Sequence, residues 1–203
     1  MTSLSDAKVL GGIGSLLVLL TAIPNVGWLL GIAGFIMILV AINKISQAVN
    51  DRKIYGEMRT AVLLGIGAIA VGAVTVAGAV YHLLGMGSFV GTKFVLASTV
   101  TTGEWVGLAA TIVVGLLAIW ALALTSAVFV RRTYNTIASK LNVKMFETAG
   151  LLFLIGAATA ILGVGFILIL VAEILLAVSF FSIQEPLGVP QRNQVNSIPA
   201  TSS

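Results

Sequence analysis

AGLLFLIGAATAILGVGFILILVAEILLAVSFFSI, residues 149–183, carries a single charged side chain, Glu173. As one straight helix it would run roughly 50 Å at 1.5 Å per residue, far beyond the ~30 Å hydrocarbon core of a bilayer. It therefore has to fold back. Gly163-Val164-Gly165 is where the backbone is freest to reverse, which gives two short apolar spans, 149–163 and 164–183, with the turn at Gly163 and Gly165.

The turn has a counterpart near the N-terminus. TAILGVGF (159–166) repeats TAIPNVGW (21–28) at five of eight positions, 138 residues apart. In the earlier copy Pro24 presets the first turn position and Asn25 tolerates the second, so 9–23 and 26–42 also read as a hairpin. The same offset pairs Gly12 with Gly150, Ile36 with Ile174 and Val40 with Val178. The expectation is one hairpin written twice in parallel orientation, related by an axis along the membrane normal.

Between the hairpins lie two longer apolar runs, 60–86 and 105–130, each roughly 40 Å as a helix. The expected fold is an all-α membrane protein. It is a six-transmembrane-helix bundle in a single domain, 1–183, with two short hairpins flanking two longer helices. The tail QEPLGVPQRNQVNSIPATSS (184–203) has few apolar residues and is expected to be disordered.

Composition supports lipid as the solvent. Apolar residues make up 59% of the chain and charged residues 9%, against about 45–50% and about 25% in soluble domains. The net charge of +4 is explained by position rather than by nucleic-acid binding. With six spans and both termini inside, the cytoplasmic side holds Lys8, Lys44, Arg52, Lys53, Arg59, Arg131, Arg132, Lys140, Lys144 and Arg192, and the outer side only Lys93. That is the positive-inside bias of a plasma-membrane protein. Trp28, Tyr81 and Trp105 fall at outer span ends, where amphipathic rings prefer the headgroup layer, while Trp120 sits mid-span as packing bulk. An alternative for 8–22 is a cleaved leader, weakened by Asp6 and by Gly11, Gly12 and Gly14.

The cytoplasmic connections 43–59 and 131–147 are basic, with apolar faces at Ile42, Ile45 and Val49 and at Tyr134, Ile137, Leu141 and Met145. Each reads as a helical extension or an interfacial helix. The outer connection 85–104 reads as a plain loop. Small residues recur at helical spacing: Gly27, Gly31 and Gly34; Gly107, Thr111 and Gly115; Ala61 with Gly65, and Ala68 with Gly72. In lipid, such faces let backbones approach, within the chain or between copies in a homo-oligomer.

Chemistry-bearing residues are scarce. Without cysteine there is no disulfide, thiolate or Cys-ligated metal. The lone His82 cannot build a metal site, and no serine or threonine has a His-Asp pair to activate it. No cofactor and no enzymatic activity are expected. Glu173 is the only acid within a span, where an ionised side chain costs about 2.5–3.5 kcal/mol or more. It is a candidate proton or cation site, or a neutral acid linking helices through Ser15, Thr75, Thr125 or Thr159.

KVLGGIGSLL in the first span, PNVGWLLGIAGFIMILVAINKIS through the second and ETAGLLFLIGAATAILGVGFILILVAEILLAVSFF near the end resemble an uncharacterised, mostly archaeal family of polytopic membrane proteins known as a domain of unknown function. The resemblance spans about residues 5–185. It implies an archaeal-type plasma-membrane protein and no activity. The expected role is an accessory or structural membrane component, with the bilayer and membrane-complex subunits as partners; the alternative is a small transporter or channel with a midplane site at Glu173.

Overall fold

The computed structural model describes residues 4–90, 93–96 and 100–184. Six α-helices dominate: α1 (Leu4–Leu19), α2 (Gly27–Ala48), α3 (Arg52–Gly85), α4 (Thr102–Leu141), α5 (Met145–Thr159) and α6 (Gly165–Phe181). Four segments are long and apolar enough to cross a membrane: α2, α3, α4, and α5 together with the 3₁₀ turn that continues it to Leu162. α1 and α6, of 16 and 17 residues, reach only about 24–26 Å, short of a ~30 Å hydrocarbon core.

The two terminal hairpins turn in the same way. α1 and α5 each end in one turn of 3₁₀ helix, Leu20–Ala22 and Ala160–Leu162. A residue with positive φ follows, Asn25 (68°) in the first hairpin and Gly163 (82°) in the second. The next helix opens on Gly27 or Gly165. The left-handed residue and the restarting glycine are both 138 positions apart, the offset of the two octamers. Asparagine and glycine are the residues that tolerate that backbone region.

At the opposite end the helices outrun their apolar segments. α2 continues to Ala48 and α3 begins at Arg52, eight residues before the apolar run at 60. Asp51 caps α3 by accepting from the Lys53 amide at 3.1 Å. α4 runs on to Leu141 and stops at Asn142, whose φ of 55° is left-handed. The basic connections are thus extensions of the long helices rather than separate interfacial helices. Their apolar faces are what hold them: Ile42, Ile45, Ile54, Tyr134 and Ile137 are buried in one core.

The connection between α3 and α4, expected as a plain loop, holds a hairpin among its described residues. Residues Gly87–Val90 (β1) pair antiparallel with Lys93–Leu96 (β2), Gly87 opposite Leu96 and Val90 opposite Lys93. Phenylalanine and valine there favour the extended, pleated backbone. Most of the tail, residues 185–203, lies outside the described residues.

The helices pack in chain order: α1 on α2, α3 on α4, α4 on α5, α5 on α6, and α6 back onto α1, with α2 only lightly on α3. The core sits at the basic end. It joins Ala7, Ile38, Ala41, Ile42, Ile45, Ile54, Met58 and Ala61 to Val130, Tyr134, Ile137, Phe146, Ala149, Leu176 and Phe180. Phe146 and Phe180 meet edge to face, their centroids 5.1 Å apart, a favoured arrangement of aromatic quadrupoles. Lys8 Nζ donates to the Ile183 carbonyl at 3.3 Å, tying the first helix to the end of the last.

The long pair outreaches the rest. Trp120 Nε1 donates to the Ala158 carbonyl at 3.3 Å, so α5 ends level with Trp120. α4 extends 18 residues further, back to Thr102, which is about 27 Å at the helical rise. Over that reach α3 and α4 have chiefly each other for company.

Candidate functional site

Glu173 lies at the middle of α6 and is half-buried. Its Oε2 is enclosed and has no hydrogen-bond partner among the described residues. None of the four expected hydroxyl partners reaches it. Ser15 donates to Gly11, Thr75 to Val71, Thr125 to Ala121 and Thr159 to Ile155, each to the carbonyl four residues back and each at 2.8–2.9 Å. A hydroxyl on an apolar helix finds its nearest acceptor in its own backbone, and that local bond wins over a distant carboxyl. Tyr134 of α4, which sequence reading placed only on an apolar face, is buried, and burial first and the Glu173 carboxylate second push its phenol well above the usual range.

Four further side-chain atoms are enclosed without a partner among the described residues: Glu57 Oε2, Arg131 Nε and, along one turn of α4, Thr133 Oγ1 and Asn135 Oδ1. They lie toward the basic end, where the two long helices leave their apolar runs. Three ion pairs also lie there, Asp6 with Lys44 at 2.8 Å, Asp51 with Lys140 at 3.6 Å and Lys53 with Glu57 at 3.8 Å. Polar chemistry is thus concentrated at this end.

Several of the small residues singled out in sequence lie at close helix contacts within the chain, whereas Gly65 meets no neighbouring helix. A Cβ on Gly34 would run into Leu17 and the Gly14 carbonyl, and one on Gly14 into Gly34 and Met37. Gly27 and Gly31 press on Thr21. On the long pair Gly115 faces Thr75, Thr111 faces Gly78, and Gly107 lies against the His82 ring at 3.2 Å from a Cβ's position. His82 thereby packs between helices. Ser126 adds a cross-helix bond, donating to the Ala61 carbonyl at 2.8 Å. Gly165 presses on the Gly156 carbonyl and on Ala160, while Gly163 turns the chain in open space. Pro24 offers its carbonyl to the Val26 amide at 2.9 Å, closing the first turn.

A groove of about 610 Å³ runs between the long pair and the C-terminal hairpin, lined by Gly65, Ala68, Trp120, Phe153, Ala157 and Phe166 among others. A second of about 240 Å³ lies between α2 and the long pair, at Phe35, Met58, Gly65, Ile66, Ser126 and Phe153. Both are apolar. A polar depression at Asn43, Ser46, Gln47, Asn50, Arg52 and Tyr55 marks the α2–α3 turn. Glu173 lines none of the three. Among the described residues no group of three His, Cys, Asp or Glu side chains could hold a metal.

Comparison with known proteins adds lineage. Uncharacterized protein MJ1644 of Methanocaldococcus jannaschii is 34% identical over 184 residues, covering 91% of this chain and 95% of its own length. No solved structure matches. A family model matches residues 30–174, from the second helix to the residue after Glu173. The chain belongs to that family, described as a protein of unknown function (DUF996).

Proposed function

We propose that this chain is an integral plasma-membrane protein that crosses the bilayer six times, with both termini on the basic, cytoplasmic side, and acts as an accessory or structural component of a membrane assembly. The observation that carries this reading is the far half of the α3–α4 pair. Ile69, Val74, Val76, Tyr81, Val106, Val113, Val114 and Leu117 are all strongly exposed there, over a length close to that of a hydrocarbon core. Such a surface needs lipid or other apolar helices around it.

The matching turns at Asn25 and Gly163 support a duplicated hairpin on either side of this pair. The polar groups gathered at one end, next to the exposed Arg59, Arg132 and Lys140, support that end as the cytoplasmic one. Basic residues placed in this way serve orientation, and the reading includes neither nucleic-acid binding nor catalysis. It is tested by purification in mild detergent. A membrane component co-purifies with stoichiometric membrane partners; recovery as an isolated homo-oligomer would count against it.

Glu173 favours a second reading, a small proton- or cation-coupled carrier, because its enclosed oxygen lacks a partner. Under that reading Glu173→Gln abolishes transport in proteoliposomes while the protein stays folded. Unchanged transport would remove Glu173 from the mechanism.

A further inference from the structure

We propose that the two apolar grooves beside the long pair form one cleft that holds a hydrocarbon chain of a membrane phospholipid. The grooves share Gly65, Ser126 and Phe153 in their walls, so they meet under α3 rather than lying apart. Together they follow the line along which α2, α5 and α6 separate from the long pair.

Three observations point to this occupant. The polar groups in the walls are already satisfied: Ser126 Oγ donates to the Ala61 carbonyl and Trp120 Nε1 to the Ala158 carbonyl. The cleft therefore offers a guest apolar contact and nothing that would hold water or an ion. Gly65 sits in the interior of α3, where glycine weakens a helix, yet no atom of a neighbouring helix lies within 4 Å of where its Cβ would be. Since Gly65 lines both grooves, the wall there is open to a guest. The groove also lies at the step where α5 and α6 end and the long pair continues. A bilayer meeting a wall of uneven height fills the step with lipid chains.

The inference rests on the membrane-embedded reading, and its test is independent of any protein partner. The full chain, extracted in mild detergent, is washed exhaustively and its retained phospholipid is counted per chain. The expected result is stoichiometric phospholipid in the wild type. Folded Gly65→Phe should lose most of it, whereas Ala70→Phe, on another face of the long pair, should retain it. Helical content by circular dichroism identifies the folded variants, and Gly65→Val serves if the phenylalanine does not fold. In a Trp28→Phe/Trp105→Phe background, which leaves Trp120 as the sole tryptophan, rebinding phospholipid with brominated chains should quench its fluorescence, and Gly65→Phe should restore it. Three results would overturn the proposal: no retained lipid in the wild type, equal retention in folded Gly65→Phe, or a wild-type dimer that Gly65→Phe dissociates, which would make a second copy the occupant.

Discussion

The basic end and the far end of this molecule are built on different terms. At the basic end all six helices converge, with three ion pairs and a core in which Phe146, Phe180, Ile42 and Ile137 are sealed from solvent. At the far end two helices stand nearly alone, and Val74 and Val76 are 72% and 64% exposed. The same pair of helices takes part in both. α3 buries only Ile54, Met58 and Ala61, all within its first ten residues. The difference shows where fold stability originates: intramolecular packing secures one end, and whatever surrounds the chain secures the other.

The sharpest way to break that contrast is truncation of a sealed aromatic. Phe180→Ala should cost about 3–5 kcal/mol, read as a lowered midpoint of denaturant unfolding in detergent. Val76→Ala, at the far end, should stay within about 0.5 kcal/mol in the same assay. Equal losses at the two ends would mean that the far half is packed in a way its exposure does not reveal.

A smaller effect is expected at the crossing of α1 and α2. Gly34→Leu would drive a side chain into Leu17 and the Gly14 carbonyl, and overpacking of this kind costs about 1–3 kcal/mol. Gly67→Leu, on the open face of α3 with no atom within 4 Å, provides the comparison and should be neutral or mildly stabilising, since leucine is the better helix former.

Smaller still is the bond that marks the step between the two ends. Trp120→Phe removes the donor to Ala158 while keeping most of the ring, and should cost about 0.5–1.5 kcal/mol. The smallest change is expected for Lys44→Ala, which breaks the ion pair with the half-exposed Asp6. Exposed pairs contribute about 0–1 kcal/mol, and the loss should fade as salt is added.

Much of the helical order was legible in the sequence, because the signals that end apolar helices are local. Pro24-Asn25 and Gly163 mark turns by their own backbone preferences, and the turns fall there. The basic-end helix limits were less legible. The apolar runs stop at residues 60 and 130, but the helices continue for another turn or more on amphipathic faces, until Asp51 caps one and Asn142 ends the other. The difference in length between long and short helices was legible in the apolar runs, but the level at which they meet was not. The level of one helix against another is set by contacts such as Trp120 with Ala158, which join residues 38 positions apart.

Around Glu173 the residue was legible and its surroundings were not. Sequence depth suggested hydroxyl partners at Ser15, Thr75, Thr125 and Thr159, but each of these hydroxyls is satisfied by its own helix. Tyr134 was missed because it lies beyond the apolar run, on a segment whose helical continuation brings it back toward α6.

Cysteine accessibility tests the six-span topology most directly, since the chain contains no cysteine of its own. Single replacements Asn25→Cys, Gly163→Cys, Asn50→Cys and Asn142→Cys are labelled in intact cells with a membrane-impermeant maleimide. Six spans with both termini inside predict that 25 and 163 react from outside and that 50 and 142 react only after the membrane is opened. Labelling of 25 and 163 on different sides, or of 25 and 50 on the same side, would contradict it.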